Sequence, residues 1–303
     1  MKPDATLQNN LKGHLKELHL PTVRECYQES ARMAEAEHLS YEQYLLSVME
    51  RECEVRRTNR IGRLLRDSGL PLEKTLSMFD RSRLTHALNA QVTNLLDGSF
   101  LTRRENVLAF GNSGSGKSHL LCAIAHELIH QEKRIRFTPC SLLVQELLIA
   151  KRDLKLPRVL KRLARYDGIL IDDIGYVQHN REEMEVLFTL LADRYERGSV
   201  MITSNLPFSQ WERIFKDPTT TAAAVDRLVH HSVIIELNLE SYRLKESKKQ
   251  KTAAGEASKT ALPVSTTITH KDKHQNITTT TKSLKNSSDK THTPVHKGIK
   301  NRE

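Results

Sequence analysis

The sequence predicts an α/β fold: a three-layer domain built on a five-stranded parallel sheet, preceded by a small all-helical domain and followed by a disordered tail. Three observations predict it. Five short apolar runs, "NVLAF", "IRFT", "GILID", "SVMIT" and "SVIIEL", recur between residues 100 and 245 with helix-like segments between them. Strands that alternate with helices are joined by crossovers, which gives a parallel sheet covered on both faces. The first 75 residues hold no comparable run and read as helices. After about Glu246 the chain has no aromatic residue and few aliphatic ones.

In chain order, residues 1–75 form the helical region, expected to serve DNA binding and assembly. Pro21 suits the first turn of a helix, and "TVRECYQESARMAEAEHL" contains no breaker. Ser40 and Gln43 form an S-x-x-Q capping box that starts a second long helix. On it Arg56, Arg60 and Arg63 follow i, i+4, i+7 spacing and share one face, with Arg57 and Arg66 beside them. Gly69 and Pro71 end that helix. Residues 76–99 form a connector whose Leu76 and Phe79 pack onto the next domain. Residues 100–245 are the α/β domain, where "REEMEVLFTLLADRYERG" carries Met184, Leu187, Phe188 and Leu191 on one stripe, with Gly198 as the stop. Residues 246–303, rich in Lys, Thr and Ser, bury too little to offset their ordering entropy and are expected to be disordered.

Bulk properties narrow the class. A net charge of +10 points to an anionic partner, most often nucleic acid. Cys26, Cys53, Cys122 and Cys140 form no C-x-x-C pair, so neither a disulfide framework nor a zinc knuckle is expected. No apolar run is long enough for a bilayer and the N-terminus lacks a signal core, so the expectation is a cytoplasmic protein without a membrane partner.

The chemistry concentrates in two motifs. "GNSGSGKS" comprises Gly111, Asn112, Ser113, Gly114, Ser115, Gly116, Lys117 and Ser118. It matches G-x-x-x-x-G-K-[ST] between a strand-like run and a helix-like run, the context of a phosphate-binding loop. Its backbone N–H groups would cradle the phosphates of ATP, Lys117 would neutralise the β/γ-phosphates, and the Ser118 hydroxyl would ligate Mg²⁺. The second motif is "ILIDDIG", a buried run that ends in two carboxylates. Ligands of parallel sheets gather at the carboxyl ends of the strands, so both acids would reach the edge where the phosphate loop opens. Asp172 would hold Mg²⁺ there, directly or through its waters, and Asp173 would orient the attacking water. "SVMITSNLPF" brings Asn205 to the same edge, with Thr203 or Ser204 assisting. Arg227 and Arg243 are candidates to stabilise transition-state charge, although Arg227 could instead pair with Asp226 or Glu236. His230 and His231 have no metal partner at zinc spacing.

Together these residues resemble the AAA+ ATPases of the DnaC/IstB branch, over residues 105–245 and more loosely in the N-terminal helices. The resemblance makes Gly111–Ser118 Walker A, Asp172–Asp173 Walker B, Asn205 sensor 1, Arg227 the arginine finger and Arg243 the sensor 2 arginine. The stretches following Ile171 and Asp217 are especially similar to the IstB-like helper ATPases that insertion sequences encode beside their transposase. Asp173 stands where many AAA+ proteins carry a catalytic Glu; this branch commonly has Asp there. The resemblance implies ATP hydrolysis, a homo-oligomer assembled on duplex DNA, and stimulation of an IstA-like transposase at target sites. A replicative helicase loader shares the same core and is the neighbouring expectation. A metabolic P-loop kinase fits less well, because no acceptor-substrate domain is visible.

Overall fold

The computed structural model describes residues 5–175, 181–211, 218–239 and 241. The chain begins with helices α1 (Ala5–Glu17), α2 (Pro21–Ala36) and α3 (Tyr41–Ser68). Pro21 sits in the first turn of α2. The Ser40–Gln43 capping box closes reciprocally at the start of α3, which stops at Gly69. A small core of Leu15, Val23, Cys26, Tyr27 and Val48 joins the three helices. Beyond it, α3 changes allegiance: Ile61, Leu64 and Leu65 pack against the core of the sheet.

The connector is itself structured. It includes α4 (His86–Leu96), whose Val92 and Leu95 are buried in the sheet core, and α5 (Ser99–Arg103) follows directly. Phe79 packs on the same core, and Leu76 is half-buried.

Five strands follow where the apolar runs predicted them: β1 (Asn106–Phe110), β2 (Ile135–Pro139), β3 (Gly168–Asp172), β4 (Ser199–Ser204) and β5 (Ser232–Glu236). They pair in parallel in the order β2-β3-β4-β1-β5. Between them run α6 (Lys117–His130), α7 (Cys140–Arg152), α8 (Leu156–Leu163), α9 (Arg181–Arg194) and α10 (Pro218–Val229). Alternate strand residues feed opposite faces. Leu108, Ile169, Ile171 and Ile202 meet α7, α9 and α10, whereas Val107, Ala109, Leu170, Met201 and Ile235 meet α4, α5 and α6. The central strands β1, β3 and β4 are buried on both faces, which is why their sequences do not alternate with polar residues, while the edge strands β2 and β5 are partly exposed.

Gly198 has a different role from the one its position suggested. Helix α9 ends four residues earlier, at Arg194, whose side chain is buried. Its guanidinium donates to the carbonyls of Leu163, Tyr166, Asp167 and Ser199, tying the α8–β3 turn to the start of β4. A Cβ at position 198 would collide with that guanidinium, so the glycine makes room for it. Burial lowers the Arg194 pKa to about 10, which leaves it charged at neutral pH.

Candidate active site

Parallel pairing brings the carboxyl ends of three neighbouring strands to one edge. Phe110 of β1 is in register with Ser204 of β4, and Ile202 of β4 with Ile171 of β3. The loop after β1 therefore opens beside the ends of β4 and β3. This loop, Gly111–Ser118, has Gly111 at φ +145, Gly114 at φ +80 and Gly116 at φ +100. A Cβ at Gly111 would strike the Leu237 carbonyl, and one at Gly114 the Ser241 side chain. Only glycine fits that curvature. Asn112 and Ser113 are exposed at its crown, and Ser118 is half-buried in the first turn of α6. Lys117 is buried, and its Nζ donates to the carbonyls of Gly111 (2.8 Å) and Asn112 (2.9 Å), which draws the loop around the ammonium.

One hydroxyl organises the two aspartates. Thr203 Oγ1 accepts from the Asp173 backbone N–H at 2.8 Å and donates to Asp172 Oδ1 at 2.6 Å. Asp173 adopts φ +65, a conformation costly for a side-chain-bearing residue and tolerated best by Asp and Asn. The Ile174 amide, donating to the Thr203 carbonyl at 3.1 Å, also holds the turn. Thr203 was only a candidate assistant in the sequence; here it touches both acids. Ser204 serves the turn instead, exchanging bonds with the Leu206 amide and carbonyl.

Two buried polar atoms at this edge have no hydrogen-bond partner: Ser115 Oγ in the loop and Asn205 Oδ1 after β4. Each such atom costs about 1–3 kcal/mol. Gly175 crowds Asn205 so closely that a Cβ there would collide with Oδ1. The unsatisfied atoms, the glycine curvature and the paired carboxylates fit a phosphorylated ligand with a hard cation. Burial pushes the thiols of Cys122 and Cys140 up to about 12, so neither supplies a thiolate nearby.

The connector also reaches this edge. Phe79 packs edge-on against His119 with centroids 5.3 Å apart, and a Cβ at Gly116 would lie 3.2 Å from the Phe79 ring. His119 Nε2 pairs with the Thr75 carbonyl at 3.1 Å, and His126 Nε2 with that of Pro71 at 3.0 Å. No local pattern marks these pins, because they join residues 44 and 55 positions apart.

Arg227 lies elsewhere. It sits near the end of α10, stacked 4.8 Å from the centroid of Phe188, and donates to the Ala223 carbonyl. Neither Asp226 nor Glu236 is within ion-pair range of it among the described residues. The adjacent Leu228 carbonyl accepts from Asn106 Nδ2, and Asn106 opens β1. Arg227 is thus at the amino edge of the sheet, a strand length of roughly 13 Å from its own phosphate loop. Arg243 lies outside the described residues.

The arginines of α3 are distributed unevenly. Glu52, buried on α3, accepts from the amides of Thr22 and Val23 at the start of α2 and from Arg56 Nε at 2.8 Å. Arg56 also donates to the His19 carbonyl. Burial pushes the Glu52 carboxyl upward, but these bonds outweigh it and hold the pKa below its ordinary value. Arg57 and Arg60 share Glu132, at 3.5 and 2.5 Å. Arg63 is exposed and, among the described residues, has no carboxylate within ion-pair range.

A parallel three-layer sheet with this loop and acid pair defines a P-loop ATPase-type fold of the AAA+ kind. The chain belongs to the family described as IstB-like ATP binding protein, whose sequence model matches residues 13–250. It is 41% identical over 242 residues to a protein of Sinorhizobium fredii named as an insertion sequence ATP-binding protein, covering 80% of this chain and 81% of that one. A Pseudomonas aeruginosa protein named as the ATP-binding protein of insertion sequence IS21 is 35% identical over 256 residues, covering 84% and 94%. Among solved structures, the crystal structure of DnaI covers 56% of this chain and 95% of its own at 21% identity, with a TM-score of 0.47. No described helix is long and apolar enough to cross a membrane.

Proposed function

We propose that this protein is a cytoplasmic, DNA-binding ATPase that assembles with copies of itself on duplex DNA and assists a partner transposase. The observation that carries the reading is the Asp172–Thr203–Asp173 constellation on the same sheet edge as the phosphate loop. The glycine backbone and the α6 N-terminus bind the phosphates, and Lys117 exchanges its loop carbonyls for the β/γ-phosphate oxygens. Ser118 and Asp172 are the residues that would hold Mg²⁺, which would neutralise charge on the transferring phosphoryl group. Asp173 orients the attacking water, and its strained backbone aims the carboxylate off the end of the strand. Asn205 Oδ1 accepts a hydrogen bond from that water, which would satisfy the unpaired oxygen. Arg227, at the far edge of its own sheet, supplies positive charge to a neighbouring copy's site.

The relatives' names associate them with insertion sequences and ATP. The test measures ATP affinity and phosphate release, with and without duplex DNA. Lys117→Ala should lose tight ATP binding. Asp173→Asn should keep ATP bound and lose turnover by about 100-fold or more, since an amide cannot take up the water's proton. Wild-type hydrolysis in both variants would sink the site assignment.

A further inference from the structure

A cleft of about 600 Å³ lies between the C-terminal half of α3, the approach to β2 and the end of α8. Arg60 and Arg63 line it from α3, Arg134 from the approach to β2, and Arg162 and Arg165 from the end of α8. Leu64, Ile135 and Tyr166 contribute apolar surface. Two carboxylates, Asp67 and Glu132, stand among five guanidiniums.

The pairing of those charges is incomplete. Glu132 is shared by Arg57 and Arg60, and Arg162 is paired with Glu146. Among the described residues, no carboxylate is within ion-pair range of the Arg63, Arg134 or Arg165 side chains, all three on exposed residues. Gathering like charges into one concavity is unfavourable by itself, and a facing anion relieves it. A guanidinium fork binds phosphate through two parallel N–H bonds, which suits that anion.

The charge extends beyond the cleft on both sides. Along α3 it continues through Arg57 and Arg66, and along α8 through Arg158 and Lys161, all exposed. A small anion needs one such point. A series of guanidiniums leading into and out of a cleft fits a polymer with a phosphate at every residue. We propose that this cleft is a backbone-binding site for duplex DNA, built half from the N-terminal helix and half from the ATPase domain. The inference rests on the DNA-binding reading above and deepens it, because it assigns Arg134 and Arg165, which lie outside the helical stripe. Glu132 acts as a competitor, since its carboxylate occupies the two arginines that a phosphate would otherwise take.

The test uses the full chain with ATP and a labelled duplex several helical turns long, following affinity against salt. The Arg134→Gln/Arg165→Gln double variant should bind about 10-fold or more weakly at low salt, with its salt slope reduced by roughly 2, alike on unrelated sequences. Glu132→Gln should bind severalfold more tightly. Unchanged ATP affinity in both variants serves as the folding check. If wild-type protein binds the duplex and both variants match it, the cleft assignment is overturned while the DNA reading stands. If wild-type protein fails to bind any duplex, the DNA reading falls and takes the cleft with it. If inorganic triphosphate protects Arg134 and Arg165 from chemical modification while duplex does not, the cleft is a small-anion site and the proposal is wrong.

Discussion

At the carboxyl edge of the sheet, Asp172 and Asp173 are held by one threonine hydroxyl, while Ser115 Oγ and Asn205 Oδ1 are left without partners. On α3 the reverse holds for three of the five arginines in the stripe region: Arg56 is engaged by buried Glu52, and Arg57 and Arg60 by Glu132. The first region stores unsatisfied polarity and the second has much of its charge already matched. A phosphate loop is a backbone device whose curvature is written locally, so its spacing in sequence specifies its geometry. A stripe of arginines specifies only a direction. What neutralises Arg57 and Arg60 arrives from far away in the chain, Glu132 lying 72 positions beyond Arg60, whereas Arg56 meets Glu52 one turn away on α3 itself. Exposed pairs such as Arg57–Glu132 contribute less than about 1 kcal/mol, so phosphates can displace them. The buried Glu52 pair is structural.

The strongest test of this contrast concerns Arg227, which among the described residues is the member of the proposed catalytic set that stands apart from the phosphate edge. If the site is completed by a neighbouring copy, Arg227→Ala should bind ATP normally and hydrolyse it about 10³-fold more slowly, the effect of removing a charge aimed at the transition state. Mixing it with Lys117→Ala protein should restore part of the rate, because hybrid interfaces contain one intact site. Failure at every mixing ratio, with co-assembly demonstrated, would mean that Arg227 serves only its stack on Phe188.

How far the sequence could be read follows the same division. All five strands lay in the apolar runs, and most plainly the central β1, β3 and β4, because a strand buried on both faces needs a nearly unbroken apolar run. The capping box and the first-turn proline were equally legible, being contacts within four residues. Thr203 was legible as a neighbour of the site but not as the link between its acids, since β4 meets β3 only in the sheet. Gly198 misled for a related reason: its constraint comes from Arg194's side chain, not from its own backbone. The structure of the connector is not legible in the sequence, because α4 is a short helix whose burial depends on the sheet beneath it.

Glu52 gives the next test, of intermediate size. Its carboxylate satisfies two amides at the start of α2 and the Arg56 guanidinium, so Glu52→Ala would leave buried donors unpaired. The loss should be about 2–3 kcal/mol of stability in the helical region. Because the folded-state pKa is depressed, the carboxylate's contribution is complete above its unfolded value. It is lost as pH falls through the lower, folded value. Thermal unfolding of wild type should therefore weaken below about pH 4 more steeply than that of Glu52→Gln, which cannot titrate. Parallel pH profiles for the two proteins would show that the ion pair contributes no net stability. In that case Arg56 would be as available to DNA as its neighbours.

The smallest expected effect separates two arginines of one stripe. Arg63 is exposed with no carboxylate in range among the described residues, whereas Arg56 is held by Glu52 and the His19 carbonyl. Arg63→Gln should leave thermal stability unchanged and remove one phosphate contact, lowering the slope of log affinity against log salt by about 0.9. Arg56→Gln should do the opposite, costing stability through the unpaired Glu52 while barely moving the salt slope. Measuring melting temperature and salt slope together for the two variants distinguishes a charge held for the fold from one held for a partner. Equal slopes for both would mean that the helical face acts as a uniform field, and that the pairing around Glu52 does not decide which arginine meets DNA.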